Sequence, residues 1–356
     1  MSIHTQTLGE VLDRLAVKGS LYEVVDPDDK KLRCYACAHQ CLIKEGRRGI
    51  CQVRFNEGGV LRVPHGYVGA LQVDPIEKKP FFHLLPGTDA LSFGMLGCDF
   101  HCDFCQNWLT SQTLRDDAAG VAPQVISAQE LVQLALHYRS GSIASTYNEP
   151  LITSEWAVEV FKLARQAGLR TLYISNGNAT RAVLEFLAPW LDGYKIDLKT
   201  MRDATYRRII GGVLQHVLDT IRWAHELGMW VEVVTLVIPG MNDSNDELWD
   251  AARYIRSVSP DIPWHVTAFH PDYKMTDVGH TPVETLLRAA EIGTEAGLNY
   301  VYAGNLPGRT RNWEDTRCPK CQTTLIRRRG FHVVENQIGT KGICPNCQTP
   351  IPGIWT

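Results

Sequence analysis

Three cysteines stand close together in the stretch GCDFHCDFCQNW, residues 97–108. Cys98, Cys102 and Cys105 have a C-x3-C-x2-C spacing, and aromatic Phe104 directly precedes the third. Thiols this close can share one loop around one metal centre. Electron-transfer cubes of four irons take four cysteine ligands. Three thiolates on a 4Fe–4S cluster leave one iron open to a substrate or cofactor. The same residues admit two other readings. One is a zinc site, which as a structural site wants four protein ligands. The other is a loop that borrows its fourth thiolate from elsewhere in the chain.

The other cysteines fall into two groups of four. Cys34, Cys37, Cys41 and Cys51 give C-x2-C-x3-C-x9-C, with Gly46 and Gly49 bending the return. Four thiolates suit zinc or an auxiliary iron–sulfur cluster, with metal-free thiols as the plainer alternative; His39 is a spare ligand expected to face solvent. Cys318, Cys321, Cys344 and Cys347 give C-x2-C-x22-C-x2-C, the form of a zinc ribbon. Pro319, Gly342 and Pro345 suit its tight metal turns. The run RRRG at 327–330 invites a nucleic-acid reading, against which stands a solvated strand or turn.

These groups must be held by ordinary globular structure. The 356 residues are 44% hydrophobic and 21% charged, enough apolar material for a packed core. A net charge of -3 makes no electrostatic case for nucleic acid or an anionic membrane. No apolar run approaches the roughly 18 residues a membrane span needs. The start of the chain does not read as a targeting signal, so the expected location is the cytoplasm and the expected state of the cysteines is metal-bound rather than disulfide-bonded.

Three segments are expected: a cysteine-rich metal-binding segment at 1–87, a catalytic α/β unit at 88–312, and a zinc-ribbon-like module at 313–356. In the first, VRFNEGGVLRV predicts a hairpin turning at 56–59. In the second, seven β-prone runs (ALSFGML, SIAST, LRTLYIS, GYKIDL, WVEVVTLVI, WHVTAFH and NYVYAG) alternate with helical patterns. Leu131, Leu134, Ala135 and Tyr138 share one helix face, as do Val160, Leu163, Ala164 and Ala167. Further patterns cover 180–188, 213–227, 244–258 and 283–296, with Gly168, Gly228 and Gly297 where helices should stop. Alternating strands and helices imply a parallel sheet with right-handed crossovers. A dinucleotide-binding fold would want G-x-G-x-x-G after the first strand, and it is absent there. The prediction is a partial (β/α)6-type barrel, with chemistry at the strand C-termini and the loops after them.

The cysteine loop after the first barrel strand resembles that of the radical SAM superfamily, whose loop is C-x3-C-x-aromatic-C. The resemblance implies that S-adenosylmethionine (SAM) chelates the open iron through its amino and carboxylate groups. It further implies that an electron from the cluster cleaves SAM to methionine and a 5′-deoxyadenosyl radical. In STYNEP, Glu149 would accept hydrogen bonds from the ammonium of SAM. Activases of this superfamily carry Gly-Gly-Glu-Pro there; this chain has Tyr147 and Asn148 for the glycines, so Asn148 would substitute with its side chain. The loop ISNGN resembles the activases' Thr-Asn-Gly loop, which points to Ser175 and Asn176, although Ile174 replaces the usual acidic residue. Asp197 and Lys199 fall on one face of KIDLKT, matching an Asp and Lys beside SAM. His265 matches a strand histidine near SAM, and His270, Tyr273 and Lys274 form a substrate-facing set at that strand's end. Asn242 and Asp243 would touch ligand or cap the next helix.

Nearly end to end, the chain resembles the AmmeMemoRadiSam-system radical SAM enzymes, relatives of the pyruvate formate-lyase activating enzymes. The motifs are CYACAHQCLIKEGRRGICQVR, DPIEKKPFFHLLPG, GCDFHCDFCQNW, TYNEP, YKIDLK, IPGMND, AFHPDYKM, YAGNLPG and CPNCQTPIPGIWT. The implied cofactors are a 4Fe–4S cluster, SAM and zinc. The implied partners are an electron donor such as flavodoxin or ferredoxin and, on the activase model, a protein substrate; direct radical modification of a small molecule is the other outcome. A different class of function stays open at this point: an iron–sulfur or zinc protein that transfers electrons without cleaving SAM.

Overall fold

The computed structural model describes residues 6–356; the first five residues of the expected N-terminal segment lie outside the described residues. The apolar runs become one eight-stranded sheet whose strands lie side by side in chain order. β1 (Ala70–Pro75) pairs antiparallel with β2 (Asp89–Gly94). Beyond β2 every pairing is parallel, through β3 (Ser142–Ser145), β4 (Arg170–Ser175), β5 (Gly193–Asp197), β6 (Trp230–Val237), β7 (Trp264–Ala268) and β8 (Val301–Gly304). The intervening helices are α1 (Ala128–His137), α2 (Ser154–Gln166), α3 (Arg181–Leu187), α4 (Leu214–Glu226), α5 (Asn245–Val258) and α6 (Val283–Glu295). Six strand–helix units and a closing strand make the incomplete α/β barrel that the alternation predicts. Edge strand β1 is the addition: ALQVDP mixes polar and apolar residues on a half-covered edge, so its pattern is weak.

Helices cover the parallel strands, and β3 and β7 are buried along their whole length. The face that α2 buries is Trp156, Ala157, Val160, Phe161 and Ala164. Covering an aromatic or branched side chain of this kind is worth roughly 1.5–3 kcal/mol. Gly168, Gly228 and Gly297 follow α2, α4 and α6 with φ of 79°, 80° and 90°, the left-handed conformation that ends a helix without a Cβ penalty. Tyr138 departs from its expected face. It is the C-cap of α1 and is exposed, because the chain turns away at Arg139.

Before the sheet, Phe55–Glu57 and Val60–Pro64 form the expected hairpin, and Ala16–Lys18 pairs with its second strand. Gly58 and Gly59, both at positive φ, make the two-residue turn. A second small sheet, Tyr22–Asp26, Lys31–Cys34 and Leu42–Ile43, brings Cys34 beside Cys41, whose carbonyl accepts the Cys34 amide at 3.0 Å. Arg54 fastens this region to the barrel. Fully buried, it forms a two-pronged pair with Glu155 of α2 at 2.8 and 2.7 Å.

After the barrel, Thr316–Arg317, Thr324–Arg329 and His332–Asn336 form a three-stranded sheet. The thiols of Cys318, Cys321, Cys344 and Cys347 lie within 4.8 Å of one another, compatible with a zinc-ribbon-like module. Its arginine run is not one basic patch: Arg327 and Arg329 are exposed, while Arg328 is buried over the Phe82 ring and paired with Glu77 at 3.5 Å. Among the described residues, no helix is long and apolar enough to cross a membrane.

Replacing Arg54 by Met would leave the largely buried Glu155 without its partner. The expected cost is about 3–5 kcal/mol, read as a lower urea midpoint. Most of it should return in Arg54→Met/Glu155→Leu, where neither charge is buried.

Candidate active site

A cavity of about 420 Å³ opens at the C-terminal ends of the strands. The loop after β2 brings Cys98, Cys102 and Cys105 to its wall. Gly97, at φ 91°, starts this loop where any side chain would strike the N-terminal segment: a Cβ would lie 2.9 Å from Val53 and 3.0 Å from the Cys51 carbonyl. The Phe100 amide points at the Cys98 sulfur (3.4 Å), and Ser111 Oγ lies 3.1 Å from that of Cys105. Burial pushes the Cys102 thiol up to about 12. Thiols this reluctant to ionise become thiolates when a cation binds them. Three thiols on one cavity wall, one facing a backbone amide and another a hydroxyl, fit a metal cluster.

Asp99 fixes this loop to the one after β4. It is fully buried, accepting Asn176 Nδ2 at 2.7 Å and Asn178 Nδ2 at 2.8 Å, both from the loop after β4. Glu149, after β3, is buried too and lines the cavity. It accepts the Ser175 hydroxyl at 2.7 Å, the Asn176 amide at 2.7 Å and the Leu151 amide at 3.0 Å. Burial and the Asp99 charge outweigh these bonds and raise its pKa to about 8. A carboxylate so placed is ready for a cationic ligand. Asn148 lines the same wall, but its Oδ1 is taken by the Met95 amide at 3.0 Å.

β5 and the residues just after it bring Lys195, Asp197 and Lys199, all lining the cavity. Asp197 stands between the lysines, in contact with Lys195 Nζ and 3.1 Å from Lys199 Nζ. Burial alone would raise the Asp197 pKa; the two ammonium groups override it and bring it to about 2. Asn242 and Tyr206 hold the Lys199 backbone, donating to its carbonyl at 2.7 Å and accepting its amide at 3.1 Å. Asn242 is thus a positioning residue, and the cap of α5 is Ser244.

Of the residues singled out for SAM, Asn148, Glu149, Ser175, Asn176, Asp197 and Lys199 come together on this cavity. His265 does not join its lining. Its Nε2 is 2.6 Å from the fully buried Glu232, and its ring borders a smaller adjoining pocket. His270, Tyr273 and Lys274 also lie off the lining. Tyr273 stacks on Trp108 at 5.3 Å, and His270 bonds Gln106, so they brace the cysteine loop from outside. His39 is half-buried with its ring edge-on to Phe100. Sequence reasoning missed Lys195, although the period-2 pattern that pairs Asp197 with Lys199 also includes it. It missed Asp99, which nothing in the sequence distinguishes from Asp103 in the same loop.

Residues 94–255 match the model of the radical SAM superfamily. An uncharacterised protein of Methanocaldococcus jannaschii is 40% identical over 318 residues, 88% of this chain and 93% of that one. The pyruvate formate-lyase 1-activating enzyme of Escherichia coli K12 is 22% identical over 236 residues, 61% of this chain and 93% of its own. A solved radical SAM methyltransferase from Sphaerobacter thermophilus aligns with 64% of this chain and 69% of its own at 17% identity, with a TM-score of 0.47. The chain belongs to the radical SAM superfamily. Within it, the chain is similar to pyruvate formate-lyase activating enzymes.

The Asp197 carboxylate has its pKa depressed in the fold, so its stabilising effect is complete above the unfolded value near 4 and is lost as pH falls through about 2. Asp197→Asn should therefore lower stability by roughly 2–4 kcal/mol at pH 7. Acid titration of the unfolding free energy should show the gap to wild type closing between pH 4 and pH 2.

Proposed function

We propose that the chain is an enzyme that cleaves SAM reductively at a 4Fe–4S cluster and uses the product to abstract hydrogen from a further substrate. The observation that supports this is the convergence on one cavity of three thiols with both a buried carboxylate and a lysine-flanked carboxylate. Cys98, Cys102 and Cys105 would hold the cluster, which supplies the electron that converts SAM to methionine and a 5′-deoxyadenosyl radical. The chain's own residues bind and orient. Glu149, fixed by three donors, accepts the SAM ammonium, whose charge favours the ionised carboxylate. Lys199 and Lys195 offer N–H groups to the SAM carboxylate, with Asp197 holding both ammonium groups in place. Ser175 and Asn176 orient Glu149 and provide further polar contacts. His265 is better placed as a packing partner of Glu232 than as a SAM contact.

An electron carrier would need none of Glu149, Asp197 or Lys199, which weighs against that alternative. The relatives' names, those of activating enzymes, support an activase-like role on a partner protein; glycyl-radical formation there, a flavodoxin or ferredoxin as electron donor and a cytoplasmic location complete the proposal. On this reading residues 88–312 carry the chemistry. Residues 1–87 hold zinc or an auxiliary cluster on Cys34, Cys37, Cys41 and Cys51, and residues 313–356 hold zinc.

The test is anaerobic reconstitution with iron and sulfide, reduction, addition of SAM and chromatography for 5′-deoxyadenosine. Wild type should form it, and Cys102→Ala should fall to background. A well-formed cluster that fails to bind SAM would sink the reading. Elemental analysis of the purified protein should find zinc, and Cys344→Ser should lose one equivalent of it per chain. Unchanged zinc in that variant would rule out the C-terminal site.

A further inference from the structure

The segment DPIEKKP reaches the cavity but has no part in SAM binding as proposed above, on which this inference rests. Asp74, near the end of β1, accepts Lys78 Nζ at 2.8 Å and Lys79 Nζ at 2.9 Å. Lys79 is only 4% exposed, and its Nζ also donates to Tyr147 Oη at 3.0 Å. An ammonium has three N–H groups; these two bonds leave one for a ligand. Lys78, Lys79 and Tyr147 all line the cavity.

Tyr147 is strained. Its φ is 70°, a conformation that bulky residues avoid and that persists where the surroundings impose it. The backbone there packs against Gly94, where a Cβ would come within 2.8 Å of Tyr147 Cβ and 2.5 Å of the Thr146 carbonyl. This conformation puts the phenol beside Lys79, whose Nζ lies 4.8 Å from the ring centroid. A structural ion pair would need one lysine and no strained tyrosine. Here two lysines share one carboxylate at the edge of the cavity.

Charge extends the argument. The cavity lining holds Lys78, Lys79, Lys195 and Lys199 against Glu149 and Asp197, and Asp74 behind it answers one of the two β1-side lysines, so one positive charge is left over. The methionine part of SAM brings one ammonium and one carboxylate, so it leaves this positive surplus in place. The surplus lies on the β1 side, away from Lys195 of β5 and Lys199 just after it. We propose that Lys78, Lys79 and Tyr147 form a substrate subsite that holds an anionic oxygen group, a carboxylate or a phosphate, beside the SAM site. Lys79 supplies the fixed charge, Tyr147 a hydroxyl that would exchange its long bond to Asp74 (3.4 Å) for one to the ligand, and Lys78 an exposed charge at the rim.

The test titrates the reconstituted full-length protein with SAM present, at low ionic strength, using three probes: inorganic phosphate, succinate and the neutral isostere succinamide. Calorimetry should detect phosphate or succinate and no succinamide; which anion binds tighter separates phosphate from carboxylate substrates. Lys79→Gln should weaken the preferred anion about tenfold or more. Tyr147→Phe, which keeps the ring, should weaken it several-fold. SAM affinity is measured on the same samples, and thermal midpoints check folding. Absence of anion binding in wild type, or unchanged anion affinity in Lys79→Gln, overturns the proposal. So does a loss of SAM affinity in Lys79→Gln as large as the loss for the anion, which would assign the lysine to SAM. Failure of wild type to bind SAM would instead count against the enzyme reading itself.

Discussion

The site depends on charged groups being partnered where water is scarce. A parallel sheet directs all its strand C-termini to one mouth, and this sequence places Asp99, Glu149, Lys195, Asp197 and Lys199 there. An unpaired charge in such a place costs several kcal/mol. Each therefore appears with its partners: Asp99 with two asparagine amides, Glu149 with a hydroxyl and two backbone amides, Asp197 with two lysines. These bonds also couple the loops, so the cysteine loop, the β3 loop and the β4 loop form one polar unit. Such a network, fully satisfied, holds its members in one arrangement.

The partnerships differ in a way that suits a ligand with both a cation and an anion. Asp197 is overcompensated by lysines and stays ionised far into acid. Glu149 receives only neutral donors and lies near the Asp99 charge, so its ionised form is poorly supported until a cation arrives. One carboxylate thus organises positive charge, and the other waits for it. The same fold sets both, through what the neighbouring strands bring alongside.

Much of this was legible because it repeats. The alternation of apolar runs and amphipathic helices foretold seven strands of the sheet, and cysteine spacing foretold the close grouping of Cys318, Cys321, Cys344 and Cys347. What escaped has no period or depends on contacts distant in sequence. Asp99 becomes meaningful only when Asn176 and Asn178, about 80 residues later, are folded against it. His265 is singled out because it matches a strand histidine of the resembled family; it shares a face of β7 with Thr267 but lies two residues further from the strand's C-terminal end, so Thr267 reaches the large cavity while His265 meets Glu232 of the adjacent strand. Tyr138 kept its helical spacing and still emerged exposed, since the periodicity outlasted the helix by one residue.

An incomplete barrel leaves the edges at β1 and β8 to be dealt with, and the chain covers this side with polar links as well as apolar packing. Phe82, Tyr300 and Tyr302 share a core with Leu325 and Ile326 of the C-terminal sheet and with Ile338 just beyond it. Through that core runs a chain of hydrogen bonds. Arg328 donates to Thr316 Oγ1 at 2.8 Å, which lies 2.9 Å from Tyr302 Oη, itself 2.6 Å from His83 Nε2. The other ring nitrogen of His83 lies 2.7 Å from the Pro352 carbonyl, which can only accept. His83 therefore carries its proton on Nδ1 and accepts from Tyr302, and burial holds it neutral by lowering its pKa to about 4. Beside it, Glu232 takes the amides of Phe82 and His83, the Trp230 indole and His265. The C-terminal sheet also brings Phe331 to the wall of the large cavity. The module that closes the open side of the barrel thus contributes directly to the space in which a substrate would lie.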